Sequence, residues 1–219
     1  VGTLLDVYLK GRVRTWFSLE LVSIGGAVKF FIWMHKSFRT RVEAQLYAQF
    51  PNVEIHEVED YAMKIDHDPN KYKFGKMLQF ALTKADAYPI KTYIDYGLDK
   101  DPKEEFKNDP IVAVIEHLGS LKAGEHAWIQ ILVRSHVKEG LKLGRIFVKP
   151  DWKKSVEGEV KKILKEARFK VDEEKAPSGQ HMSEGQKDIV RAIERTSGKV
   201  AFDTMIRAFY IAEKDNFNS

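Results

Sequence analysis

The chain has 219 residues, enough for one large domain or two small ones, and 43% of them are hydrophobic against 31% charged, a globular composition. It contains no cysteine, which excludes a disulfide framework, a zinc–cysteine or iron–sulfur site and thiol catalysis together. Lys and Arg number 36 against 32 Asp and Glu, and the resulting +4 is too slight to mark a nucleic-acid-binding protein by charge alone.

The elements follow in chain order. Thr3–Leu9 carries Leu4, Leu5, Val7 and Leu9 and fits a short helix or a strand, followed by basic Lys10–Arg14. Trp16–Ile24 alternates in the manner of a strand, Gly25–Gly26 signals a two-residue hairpin turn, and Val28–Met34 is the returning strand. From Ser37, apolar residues recur at helical spacing through Val42, Leu46 and Phe50 until Pro51 stops them. Val53–Tyr61 alternates again, predicting a strand whose outer side carries Glu54, Glu57, Glu59 and Asp60. Asp66–Lys73 reads as a polar turn, Met77–Thr83 and Ile90–Ile94 as strands, and Asp101–Asn108 as a charged loop or one helical turn.

Asp109–Pro110 opens a helix with a capping carboxylate followed by proline at the first helical position. Ala127–Arg134 is apolar on much of both faces, which predicts a central strand. Asp151–Arg168 places Val156, Val160, Ile163 and Leu164 on one stripe with lysines around the rest. Lys170–Gly185 is the best linker candidate, Ser183 and Gln186 fit a capping box opening a helix to Thr196, and Phe202–Ala212 is a final strand. Two short strings, Asp109–Glu116 and Asp188–Glu194, echo each other as helices leading through a glycine-bearing loop into a strand. The sum is an α+β fold of ferredoxin-like character, an antiparallel sheet with helices on one face. The expected division is residues 1–150 as the ferredoxin-like body and 151–219 as a C-terminal αβ extension that completes or extends the sheet.

Catalytic motifs are sparse. Gly119 and Gly124 are spaced like the glycines of a phosphate-binding loop, but Glu125 and His126 stand where lysine and serine or threonine belong. Asp66–Asn70 has the alternating oxygens of a calcium loop but lacks its glycine and closing glutamate, so a polar turn is the better reading. His56–Glu57 lacks the second histidine of a zinc-protease helix, and no serine-nucleophile signature stands in a usable context. Glu54, Glu57, Glu59 and Asp60 form the one dense carboxylate group; on a strand, Glu57 and Glu59 share a face where like charges raise a pKa, though such charges also discourage edge pairing. Lys153, Lys154, Lys161, Lys162, Lys165 and Arg168 give one helix a modest positive excess that can rest on a phosphate backbone, although a solvated helix face carries the same signature. No catalytic residue, metal site or cofactor is expected.

Six strings carry a family likeness: Trp16–Gly26 with Val28–Ile32, Val42–Pro51 with Val53–Tyr61, and Ala127–Val133 with Ile206–Glu213. They resemble the amino-terminal region of large ATPases of the HerA/FtsK kind, related to type IV secretion and conjugation motors and common in candidate phyla radiation bacteria. The resemblance implies a non-catalytic accessory domain whose ATP-binding motor lies in a later region absent from this chain. It also implies partners among its own motor domain and other secretion-complex subunits, with DNA and further copies of the chain as additional candidates. Its location would be cytoplasmic, at the inner face of the cell membrane. No apolar run approaches the roughly 18 residues that span a bilayer, and Val1 in place of methionine fits a truncated piece. A ferredoxin-like nucleic-acid-binding module is the alternative, and a hydrolase built on Glu54–Asp60 a third reading.

Overall fold

The computed structural model describes residues 15–65, 68–75, 77–97, 109–136, 152–173 and 182–217. The expected segment Thr3–Leu9, the basic residues Lys10–Arg14, the loop Asp101–Asn108 and the boundary at residue 150 lie outside them. So do residues 174–181, half of the expected linker. The fold is α+β, as expected, with an antiparallel sheet of six strands. The chain divides into two compact units, one of Arg14–Ala81, Pro110–Ser135 and Asp203–Ser219, the other of Val1–Val13, Leu82–Asp109 and His136–Phe202.

The first unit holds the sheet. Strands β1 (Trp16–Ile24) and β2 (Ala27–Met34) form the expected hairpin, paired without a bulge from Ile24 opposite Ala27 to Phe17 opposite Met34. Gly25 and Gly26 both have positive φ, 58° and 86°, which this turn requires and which side chains disfavour. Helix α1 (Arg39–Gln49) follows, then two three-residue strands, β3 (Tyr72–Phe74) and β4 (Leu78–Phe80). Helix α2 (Ile111–Gly119) leads into β5 (Glu125–Ser135), and the chain closes on β6 (Phe202–Glu213). The strand order is β2-β1-β5-β6-β3, with β4 also on β6, so β5 is central as its apolar faces predict. Contacts between β5 and β6 run in opposite directions: Arg134 meets Asp203, Gln130 meets Arg207 and Glu125 meets Tyr210.

Period-two alternation sorts the sheet into two faces. One carries Val22, Trp128 and Ile211, and the residues Tyr61 to Ile65 lie across it to close a core with Tyr72. On the other, α2 packs against β1 and β2, and the buried Ser23 hydroxyl donates to the Leu118 carbonyl at 2.7 Å. Gly124 enters β5 at φ +83°, a left-handed conformation that strains other residues, beside the side-chain ends of Asn216 and Glu213.

The second unit is helical. Helix α3 (Trp152–Glu173) and α4 (Glu184–Ser197) pack through Val156, Ile163 and Ile193, with Ala87 completing the core. The capping box is present: Ser183 accepts from the Gln186 amide and Gln186 accepts from the Ser183 amide. Helix α3 runs past Arg168 to Glu173, through the start of the expected linker.

Three expected elements differ. Val53–Tyr61 forms no strand; Asp60 accepts from the Ala62 amide at 2.9 Å and starts a short 3-10 turn over Tyr61–Lys64. Ile90–Ile94 forms no strand; residues 93–97 are a turn, with the Asp95 carboxylate accepting from the Thr92 amide and hydroxyl. Met77–Thr83 shrinks to the three residues of β4.

Candidate functional site

The lysine face expected from the sequence sits on α3. At 3.6 residues per turn, Lys154, Lys161 and Lys165 share one side of the helix, roughly opposite the buried stripe of Val156 and Ile163. Lys153 and Lys162 flank that side, and the backbone places Arg168 on it. All five lysines are exposed, and Lys162 lies 3.8 Å from Glu159. Helical spacing therefore assembles the basic residues on one face, where their cationic heads can meet an extended polyanion.

The acidic group is different. Without a strand, Glu57 and Glu59 do not share a face, and Glu57 forms an ion pair with Arg39, itself bonded to Glu43. Asp60 is occupied as a cap, and His56 lies 3.5 Å from Glu54. No two of these carboxylates are brought together on one proton.

A polar array that sequence spacing does not reveal lies on the core face of the sheet. Glu20 on β1 is only 9% exposed, and its carboxylate accepts from the Ser18 hydroxyl and from Tyr61 at 2.5 Å. The Tyr61 oxygen accepts from the Gln130 side-chain amide at 2.7 Å, and Gln130 in turn accepts from the Arg207 guanidinium at 2.8 Å. The donors run one way, from Arg207 through Gln130 and Tyr61 to Glu20, linking β6, β5, the 3-10 turn and β1. Burial raises the Tyr61 pKa far above its ordinary value, and the bond to Glu20 raises it further, so Tyr61 is a donor and not a base at neutral pH. This array clamps the Tyr61–Ile65 segment to the sheet.

Two further groups stand at the other end of the same strands. Glu125 accepts from the Tyr210 hydroxyl at 2.6 Å and from the Lys122 amide, which hold its carboxyl below the usual range. His126 is 9% exposed, its Nδ1 without a hydrogen-bond partner, and burial lowers its pKa against the opposing pull of Glu213. The signal for Glu20, Gln130 and His126 is a polar residue at a strand position that faces the apolar core, whereas Glu125 and Tyr210 lie on the opposite face of the sheet. Among the described residues, no group of three or more His, Asp or Glu could hold a metal ion, and no helix is long and apolar enough to cross a membrane.

The chain belongs to the family described as Domain of unknown function (DUF8128), whose model matches residues 11–218. No curated protein and no solved structure matches it.

Proposed function

We propose that the chain is a non-catalytic interaction domain, serving as the accessory part of a DNA- or protein-translocating ATPase of the secretion type. The observation that carries the interaction role is the apolar surface left on the sheet: Leu19, Phe30, Leu78 and Phe80 are all exposed. The polar groups of the sheet support it too, since each serves to fasten the fold and Tyr61, the most perturbed of them, is held as a donor. The link to a translocating motor rests on the family likeness of the sheet-forming strings. Reading the coding frame beyond Ser219 tests that link. A Walker A motif within the following few hundred residues is expected, and an immediate stop codon with no motor gene beside it overturns it.

A second reading has its own observation, the exposed lysine face of α3. In it the domain also holds nucleic acid through phosphate contacts, without reading bases. Fluorescence anisotropy with duplex and single-stranded DNA is the test. Replacing Lys161 and Lys165 by Glu is expected to weaken binding by about tenfold or more and to flatten its salt dependence. Absence of binding by the parent chain at low salt removes this reading.

A further inference from the structure

Strand β2 is the end strand of the sheet, and among the described residues nothing pairs with its outer edge. Edge strands in soluble proteins are blunted by shortness, bulges, proline or charge, because their free N–H and C=O groups template further pairing. This strand has none of the first three devices. It runs eight residues, Ala-Val-Lys-Phe-Phe-Ile-Trp-Met, in unbroken register with β1, and Lys29 is its one charge. Two of its large side chains are open to solvent, Phe30 at 68% and Trp33 at 45% exposure.

The hairpin fixes which backbone groups are free. Ile24 and Ala27 flank a two-residue turn and so exchange both ladder bonds. Alternation then turns the N–H and C=O groups of Ala27, Lys29, Phe31 and Trp33 toward β1. Those of Val28, Phe30, Ile32 and Met34 point outward.

We propose that β2 is a self-association edge: two copies of this chain join antiparallel through β2, about a two-fold axis at Phe31, into one continuous sheet. The register follows from the residues. A two-fold axis normal to the sheet keeps equivalent faces on the same side, so each residue must oppose one from its own face. Centred on Phe31, the outward-bonding residues pair among themselves, Val28 opposite Met34 and Phe30 opposite Ile32 of the second copy. On the opposite face, Lys29 comes against the indole of Trp33, and this happens twice by symmetry. No like charges oppose each other, a juxtaposition that would cost stability, and each lysine gains an aromatic face for a cation–π contact. Phe30 gains Ile32 of the second copy as its direct neighbour, on the face that it shares with the exposed Leu19. The edge is complementary to itself, which is the requirement for an isologous dimer.

Sedimentation equilibrium of the full chain across micromolar concentrations tests this, with a species of twice the monomer mass expected. Trp33→Lys sets two lysine pairs face to face and is expected to weaken the dimer by about tenfold or more. Adding Lys29→Glu to that variant turns both repulsions into ion pairs and is expected to restore dimerisation, a rescue peculiar to this register. Trp33 also stacks on Trp16, with ring centroids 4.2 Å apart, so each variant is checked by circular dichroism. Should Trp33→Lys unfold, Phe30→Pro takes its place: it removes an outward donor at an exposed position and is expected to leave a folded monomer. A parent chain that stays monomeric overturns the proposal. So does a dimer that survives Trp33→Lys or Phe30→Pro, or a double variant that stays as weak as Trp33→Lys.

Discussion

The two units solve the burial problem in different chemistry. The sheet unit packs an aromatic core of Tyr61, Tyr72 and Trp128 with Val22, Ile65 and Ile211, and threads polar groups through the same face. The helical unit closes on buried Ala87, Val156, Ile163 and Ile193, all aliphatic, with Tyr88 and Trp152 half-buried at the rim, and carries polar bonds on its surface, as in Lys187–Glu184 and Arg191–Asp188. An aliphatic core is satisfied by volume and tolerates shape changes. A core holding Glu20, Tyr61, Gln130 and Arg207 requires one register, because a one-residue slip would turn each polar group to the wrong face. The sheet unit is therefore the specified scaffold, and the helical unit the more tolerant one.

The largest expected effect comes from removing the centre of the aromatic core. Trp128 packs edge-on against Tyr61 at 5.0 Å and near Phe209 at 6.1 Å. Trp128→Ala is expected to cost about 4 kcal/mol, against about 3 kcal/mol for Ile193→Ala in the helical core. Urea unfolding followed by amide exchange separates them. Exchange should accelerate in β1 and β5 for the first and in α3 and α4 for the second. Equal acceleration everywhere in both variants would break the distinction between the two cores.

Next comes the polar array. Tyr61→Phe keeps the ring but leaves Glu20 and Gln130 each short of a buried partner, for an expected loss of about 2 kcal/mol in urea unfolding. Glu20→Gln preserves an acceptor and a donor and should cost less. If Tyr61→Phe is neutral, the array is not a clamp and the contrast between the cores is one of shape alone.

How much of this the sequence disclosed depends on the distance over which each feature is encoded. The hairpin was readable because Gly25–Gly26 and two alternating runs specify it locally, and the capping box because Ser183 and Gln186 are three apart. The lysine face followed from helical period alone. Val53–Tyr61 misled because alternation gives a strand only where a ladder partner exists. Here Arg39 draws off Glu57 and Asp60 caps the next turn. The polar array was not readable: Glu20 and Tyr61 are 41 residues apart, Tyr61 and Gln130 69, and Gln130 and Arg207 77. Only strand order brings them together. A glutamate at an inward position of β1 was the one local sign.

A smaller effect should appear in the helical unit. Ser183→Ala removes the acceptor for the Gln186 amide and half of the capping box, which is expected to cost about 1 kcal/mol. Loss of protection is expected to concentrate in the first turn of α4. The Lys187–Glu184 pair beside it is surface-exposed and screened by water, so Lys187→Ala is the near-neutral control.

The subtlest difference between the units is their response to acid, and it turns on His126. It stands opposite Ile24 of β1 and near Tyr72, with Glu213 the charged group whose pull opposes burial. Burial lowers its pKa in the folded chain below the ordinary 6.5, so the folded state resists a proton that the unfolded state accepts. Stability from this group is thus complete above the unfolded pKa and declines as the pH falls through it, until the folded histidine also protonates. Glu125 has the depressed carboxylate's form of the same dependence, lost only at lower pH as the bond from Tyr210 gives way. Urea midpoints taken from pH 8 to 5.5 should therefore fall for the parent chain and fall less steeply for His126→Leu. The slope is the readout, since the substitution also alters packing. Exchange measured over the same range should loosen β5 and β6 while α3 and α4 hold, because Val156, Ile163 and Ile193, through which those helices pack, do not titrate. A parent and a variant with the same slope would mean that His126 takes up its proton over the same pH range folded and unfolded, and the acid response would no longer separate the two units.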